Sequence, residues 1–301
     1  MSQIGHMSDE PALRPDLAVG EALLAVARSI LAEARTAIED PGKPDSKAVH
    51  DFRRQMKRWR ALLRLLDPIL GEDGRRLRMQ ARDLARALGG ARDAQSALDA
   101  LADLAQHGLA LSPRSLATLR DRIEQIRRTA EATILTGHMR VSVAAALDDA
   151  EAAVGGWPLQ ALTFAEIAER LARGYRSARR ARPAVWAEAG AEELHELRKR
   201  VVNHRYQMEI VRPLWRRFVK MWTGEAQRLR ERLGKHQDLL VLARLTGPHQ
   251  PLAHWRSRLL PAIEKRRATH VKKSARIAER LFLEKPKAFR RRLETMWETA
   301  D

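Results

Sequence analysis

An all-α fold built from two repeated halves is what this sequence predicts, and three observations predict it. Ala, Leu, Arg and Glu dominate a chain whose aromatic content is 5% and which has no β-branched runs, a composition that favours long helices over strands. Apolar residues recur at helical spacing between clusters of Pro and Gly. A pattern in the first half then returns in the second at a constant offset of 145 residues, His50 falling on His195. With 301 residues the chain is long enough for two domains or for one duplicated domain.

Residues 1–12 are expected to form a flexible N-terminus, Met1 to Glu10 being polar and lacking the apolar stretch of a signal peptide. The first half, 13–154, opens with helical spacing from Leu13 to Ile38, stopped by Pro41-Gly42-Lys43-Pro44. Ser46 can cap a second helix that runs to Asp67, just before Pro68, and a third, long and charged, covers Glu72 to His107. Ser112 with Pro113 opens a fourth pattern reaching Ala153. Gly155-Gly156-Trp157-Pro158 marks a linker over 155–162, and Thr163 with Glu166 forms a capping box that restarts helix. The second half, 163–301, repeats the plan with helices over Thr163 to Ala181, Ala191 to Val211, Leu214 to Leu245 and Leu252 onward. Pro261 is expected to kink the last of these, and Pro286 to separate a short terminal helix.

Fifty-six Lys and Arg against 38 Asp and Glu give a formal charge of +18, an excess that repels itself unless a polyanion or anionic surface offsets it. Most of these cations are Arg, whose planar fork matches phosphate oxygens, so a phosphate-bearing partner is favoured over a carboxylate one. The chain has no cysteine, which excludes disulfides and thiolate metal sites, and no apolar run approaches a membrane span of roughly 20 residues. A soluble, cytoplasmic protein that needs no cofactor is the expectation.

The repeat carries the chemistry. Val49-His50-Asp51-Phe52-Arg53-Arg54 corresponds to Leu194-His195-Glu196-Leu197-Arg198-Lys199, and at the same offset Arg60 falls on Arg205, Leu84 on Leu229, Leu88-Gly89 on Leu233-Gly234 and Asp93 on Asp238. On the second helix His50, Arg53, Arg54, Lys57, Arg58, Arg60 and Arg64 share an arc of about 160°, while Phe52, Met56, Trp59, Leu63 and Leu66 lie opposite. An ordinary solvated face intersperses acids for i,i+4 pairing, and this arc has none, so it reads as a binding face. The second copy keeps His195, Arg198, Lys199 and Arg205 but has Val202, Asn203 and Glu209 where Lys57, Arg58 and Arg64 would be, so the halves should contribute unequally. His204 replaces Trp59 and reads as a core histidine.

An apolar-His-x-x-Arg-(Arg/Lys) helix followed by a helix with Leu-Gly-x-x-x-Asp, all duplicated, resembles the CHAD family, the conserved histidine α-helical domain. The resemblance spans Leu13 to the 290s. It implies two four-helix bundles related by a pseudo-twofold, with basic faces meeting at a central groove or pore that binds long-chain inorganic polyphosphate. Carried over, the contacts are His50, Arg53, Arg54, Lys57 and Arg60 from one half and His195, Arg198, Lys199 and Arg205 from the other. Arg58 and Arg64 extend that face, and Arg82, Arg86, Arg92, Lys235 and His236 lie near the Leu-Gly motif. Members are often fused to a triphosphate-hydrolysing tunnel domain, whose Glu-x-Glu-x-Lys signature is absent here. The resemblance also implies association with polyphosphate granules.

Non-catalytic binding of polyphosphate is therefore the leading expectation, and its alternatives are non-specific nucleic-acid binding at low salt, a polyphosphate-processing enzyme, or a scaffold for an acidic protein. The basic helices lack aromatics interleaved for base stacking, and no Walker-type glycine loop or carboxylate cluster for magnesium is present. A metal site at the histidines is disfavoured because Arg53, Arg54, Arg198 and Lys199 would repel the ion. The oligomeric state is open at this point.

Overall fold

The structure, a computed structural model, describes residues 11–90, 92–131 and 135–300. Ten α-helices and no strand are found among the described residues. In the first half α1 is Val19–Glu39, α2 Asp45–Ala87, α3 Arg92–Ala105, α4 Pro113–Glu131 and α5 Gly137–Gly155. In the second, α6 is Phe164–Arg180, α7 Ala191–Ile210, α8 Arg216–Leu245, α9 Arg256–Leu281 and α10 Pro286–Glu298. The expected flexible N-terminus falls largely on residues 1–10, outside the described residues. No described helix is long and apolar enough to cross a membrane.

Several helices begin where capping chemistry places them. Thr163 and Glu166 make the reciprocal capping box that starts α6, each side chain bonding the other's backbone N–H. Two boundaries differ from the sequence expectation. The helix expected to stop before Pro68 continues past it and bends at Gly71, whose φ of 53° and ψ of −126° suit glycine, and the next helix is then cut at Leu88 to Gly90. The single pattern from Ser112 to Ala153 is two helices, because Thr136 accepts from the Met139 N–H at 3.2 Å and starts α5 afresh.

The 145-residue offset carries α1, α4 and α5 onto α6, α9 and α10, and the packing follows it. α1 packs on α2 and α5 as α6 packs on α7 and α10, and the α3·α4 contact returns as α8·α9. The halves meet where α2 packs on α7 and α3 on α8.

The core does not divide by halves, unlike the one-bundle-per-half arrangement that the resemblance implies. One apolar cluster takes in α1, α2, α5, α6, α7, α10, the beginning of α8 and the end of α9; a second holds α3, α4, the end of α8 and the beginning of α9. Residues 155–162, expected as a linker, are built into the first cluster. Trp157 is buried and stacks on Trp59 with ring centroids 5.5 Å apart, and Leu159 is fully enclosed. The Leu159 carbonyl runs so close to α1 that a Cβ at Gly20 would lie 2.2 Å from its oxygen. His204 is core, in edge contact with Trp222 at 4.8 Å, and burial pushes its imidazole down to about 3.

Candidate anion-binding cleft

α2 buries Phe52, Met56, Trp59, Leu63 and Leu66, which turns the opposite side, with Arg53, Lys57, Arg60 and Arg64, toward the junction with α7. The His-x-x-Arg and Leu-Gly motifs turn out to be one device. Arg53 Nη1 donates to the carbonyls of Ala85 at 2.6 Å and Leu88 at 3.1 Å, where the helix has just ended and those oxygens lack intrahelical donors. Its guanidinium lies over Gly89, so close that a Cβ there would come 2.9 Å from Nη1. Arg198 lies in the same way over Gly234, where a Cβ would be 3.3 Å from Nη2 and 3.6 Å from Cζ. The glycine of each Leu-Gly motif is thus the floor of a seat for the His-x-x-Arg arginine of the same half.

Lys57 lies one helical turn beyond Arg53 on α2 and feels the charge of Arg198 as well. The charges acting most strongly on its amine are all cationic, Arg230, Arg92, Arg53 and Arg198, and together with desolvation, the largest cause, they push it down to about 7. Lys57 nevertheless keeps an exposed side chain. Arg198 is held down to about 10 by burial first and by Arg92 and Arg230, with Asp238 opposing. Asp238, raised by burial, is hydrogen-bonded by Ser96 of α3 and faces Arg198 and Arg92. Cations from α2, α3, α7 and α8, and hence from both halves, therefore lie close enough to act on one another.

Arg60 and Arg64 continue the basic line along α2. Arg60 is lowered by burial and then by Arg82 and Arg78; Arg64 is lowered by burial, Arg60 and Arg78, with Glu196 and Asp67 opposing. Arg64 also reaches the other half, donating to Asn203 Oδ1 at 3.3 Å. Arg54, Arg86 and Arg92 are exposed, and Arg82 pairs with its neighbour Asp83 at 2.9 Å.

Other candidates are engaged elsewhere. Arg58 is turned to α1, where it meets Glu33 at 2.9 Å, and it also donates to Gln55 of its own helix at 3.0 Å. Lys199 pairs with Glu196, and Arg205 pairs with Glu209 at 2.6 Å while lying over the Tyr206 ring. Lys235 binds Asp103 at 3.0 Å, and His236 is buried and accepts from Arg267 Nε at 3.3 Å. Of the two signature histidines, His50 is exposed and His195 half-buried, the latter lowered by burial and then by charges of its own helix, chiefly Lys199. The residues that the structure brings together are those one and two turns further on.

Sequence reasoning missed Arg230 and Arg78. Arg230 lies one helical turn before Gly234, at the place held by Ala85 in the first half, and that i,i+4 spacing to the motif glycine was the available signal.

These features define a class: an all-helical, internally duplicated protein whose halves meet at a cationic cleft. The family description "CHAD domain" matches residues 21–247, about three quarters of the sequence, and the chain belongs to the CHAD domain family. It is similar to a crystal structure of the CHAD domain from the plant Ricinus communis, with 20% identity and a TM-score of 0.58 over 95% of this chain and 94% of that one, a likeness that speaks to the fold. A comparison with curated proteins gave no match.

Proposed function

We propose that this protein binds inorganic polyphosphate in the cleft between its halves and catalyses no reaction on it. The observation that carries this reading is the gathering of Arg53, Lys57 and Arg92 with Arg198 and Arg230 around one recess. Such crowding is repulsive in the free protein, and a chain of phosphates, each with about one negative charge and no sequence to read, relieves it along its whole length. The open line of Arg60 and Arg64 suits a long ligand better than a single phosphate. Binding of this kind would place the protein where polyphosphate accumulates, in cytoplasmic granules.

Calorimetric titration against polyphosphate of defined length at two salt concentrations tests the proposal, with affinity expected to fall steeply as salt rises. Arg53→Glu combined with Arg198→Glu is expected to abolish binding with helicity intact. Unchanged affinity in that variant rules the cleft out, and displacement by duplex DNA at equal phosphate concentration favours a nucleic-acid ligand instead. Release of orthophosphate in the presence of magnesium, lost in Asp93→Ala, would make the protein an enzyme.

A further inference from the structure

At the 145-residue offset Trp215 stands where the first half has Leu70. Leu70 is only 8% exposed, because α2 runs on past Pro68 and keeps that side chain in the core. In the second half α7 ends at Ile210, and a short 3₁₀ turn over Arg212–Trp215 leaves the indole 51% exposed. The ring is nevertheless held in place. It stacks on buried Phe218 with centroids 5.3 Å apart, and the Arg292 guanidinium lies 4.9 Å from the centre of the same Phe218 ring. Glu284 fixes Arg292 there at 2.8 Å.

Trp215 and one face of α10 line a pocket of about 320 Å³, within the range of roughly 300–1,000 Å³ usual for sites that take a small organic molecule. Trp215 forms an aromatic wall, and Ala288 and Met296 add apolar surface. The polar lining consists of Arg291, Arg292 and threonines including Thr295, with no acid. Arg291 is exposed and makes no ion pair among the described residues. None of the cleft arginines, nor Lys57, lines this pocket.

These surfaces ask for two features in one ligand. An open indole face beside a methionine accepts a flat ring, and an unpaired guanidinium with a hydroxyl nearby accepts a phosphate through its forked donors. A polyphosphate chain has no ring to lay on Trp215, and an uncharged aromatic leaves Arg291 without a counter-charge. We infer that the pocket between Trp215 and α10 binds a mononucleotide, its base stacked on the Trp215 indole and its phosphate held by Arg291. This goes beyond polyphosphate binding and shares no residue with the cleft.

The test is calorimetric titration of the full chain at low salt with adenosine monophosphate, with adenosine, which lacks the phosphate, and with ribose 5-phosphate, which lacks the base. The nucleotide is expected to bind about ten-fold or more tightly than either fragment. Trp215→Leu, which installs the first half's residue, and Arg291→Gln should each weaken nucleotide binding by about five-fold or more, while Trp215→Tyr, which keeps a stacking ring, retains most of it. Equal affinity for ribose 5-phosphate and the nucleotide overturns the inference, as does nucleotide affinity unchanged in Trp215→Leu or the absence of nucleotide binding. Arg53→Glu with Arg198→Glu is expected to leave nucleotide affinity as it was, and its loss in that variant would move the nucleotide to the cleft and overturn the pocket. Polyphosphate titrated into the Trp215 and Arg291 variants reads the cleft separately, so the two proposals fail independently.

Discussion

The two copies of the signature helix place the same arginine over the same glycine and then treat it differently. In the first half the helix ends beside the seat, and Arg53 closes it by donating to the Ala85 and Leu88 carbonyls. In the second, α8 runs unbroken through Gly234, no terminal carbonyls are free, and Arg198 faces Asp238 instead. The charges around the seats are also exchanged. Lys57 has Val202 as its counterpart, while Arg230 has Ala85. Each half thus supplies a cation where the other has a small or apolar residue. Arg92 likewise has the uncharged Gln237 as its counterpart, so a strictly symmetric repeat would have added three more charges to the four arginines and the lysine gathered here. Duplication kept the mechanical part of the motif, the seat, and let the charges diverge.

A feature of one half alone gives the largest expected effect. Asp103 has Pro248 as its counterpart and ties α3 to the second half, accepting from Arg266 at 2.9 Å, Lys235 at 3.0 Å and His270 at 3.1 Å. Burial works against its charge, yet these donors hold the carboxyl well below the usual range. Asp103→Asn leaves Arg266 buried without a counter-charge and is expected to cost about 3–5 kcal/mol in denaturant unfolding. A loss under about 1 kcal/mol would show that the second cluster does not depend on this cross-half tie.

The seats themselves should respond unequally. At Gly89 a Cβ would meet the Arg86 carbonyl at 2.8 Å as well as Arg53, and backbone cannot yield as a side chain can, so Gly89→Ala is expected to cost about 1–3 kcal/mol in thermal melts. At Gly234 only the Arg198 side chain must move, and the helix gains about 1 kcal/mol from replacing glycine. Gly234→Ala should therefore keep its melting temperature and lose polyphosphate affinity. Equal destabilisation by the two variants would remove the distinction drawn between the copies.

Lys57 predicts a pH dependence that only the first half supplies. Its free-state amine is lowered to about 7, and a bound polyanion favours the charged form, so binding takes up a proton above that pH. Affinity should be flat below pH 7 and fall as pH rises beyond it, by up to about ten-fold per unit, with the slope lost in Lys57→Arg. Because the unfolded chain holds that proton to higher pH, the same group makes the free protein more stable as pH rises from about 7 toward the ordinary lysine range. The smallest effect is a gain: Val202→Lys restores the missing cation and should steepen the dependence of log affinity on log salt by about one unit, read from titrations at several salt concentrations. An unchanged slope would place position 202 outside the ligand's path.

Much of the fold was legible because its signals are local. The Pro41 to Pro44 breaker, the Thr163–Glu166 capping box and the alternation of apolar and basic faces on α2 each depend on residues within a few turns. Where several local signals competed, the reading failed. Pro68 is tolerated inside α2 while Gly71 makes the bend, and Thr136 caps a helix inside what looked like one continuous pattern. The site was legible as a stripe but not as a cleft. Arg58 belongs to the stripe by angle and is drawn to Glu33, a residue of another helix, whereas Arg230, between Arg228 and Arg232 with an acid beside it, lies off the repeated motif and acts on Lys57 across the junction.

Helicity, the duplication with its 145-residue offset, the surplus of cations and the pairing of His-x-x-Arg with Leu-Gly were determined by the amino-acid order alone, because each is a matter of spacing along one chain. Which cations face one another was decided only by tertiary structure. The packing of α2 on α7 and of α3 on α8 sets those distances, and the mixing of both halves into each apolar cluster holds mutually repelling charges where they could not otherwise remain.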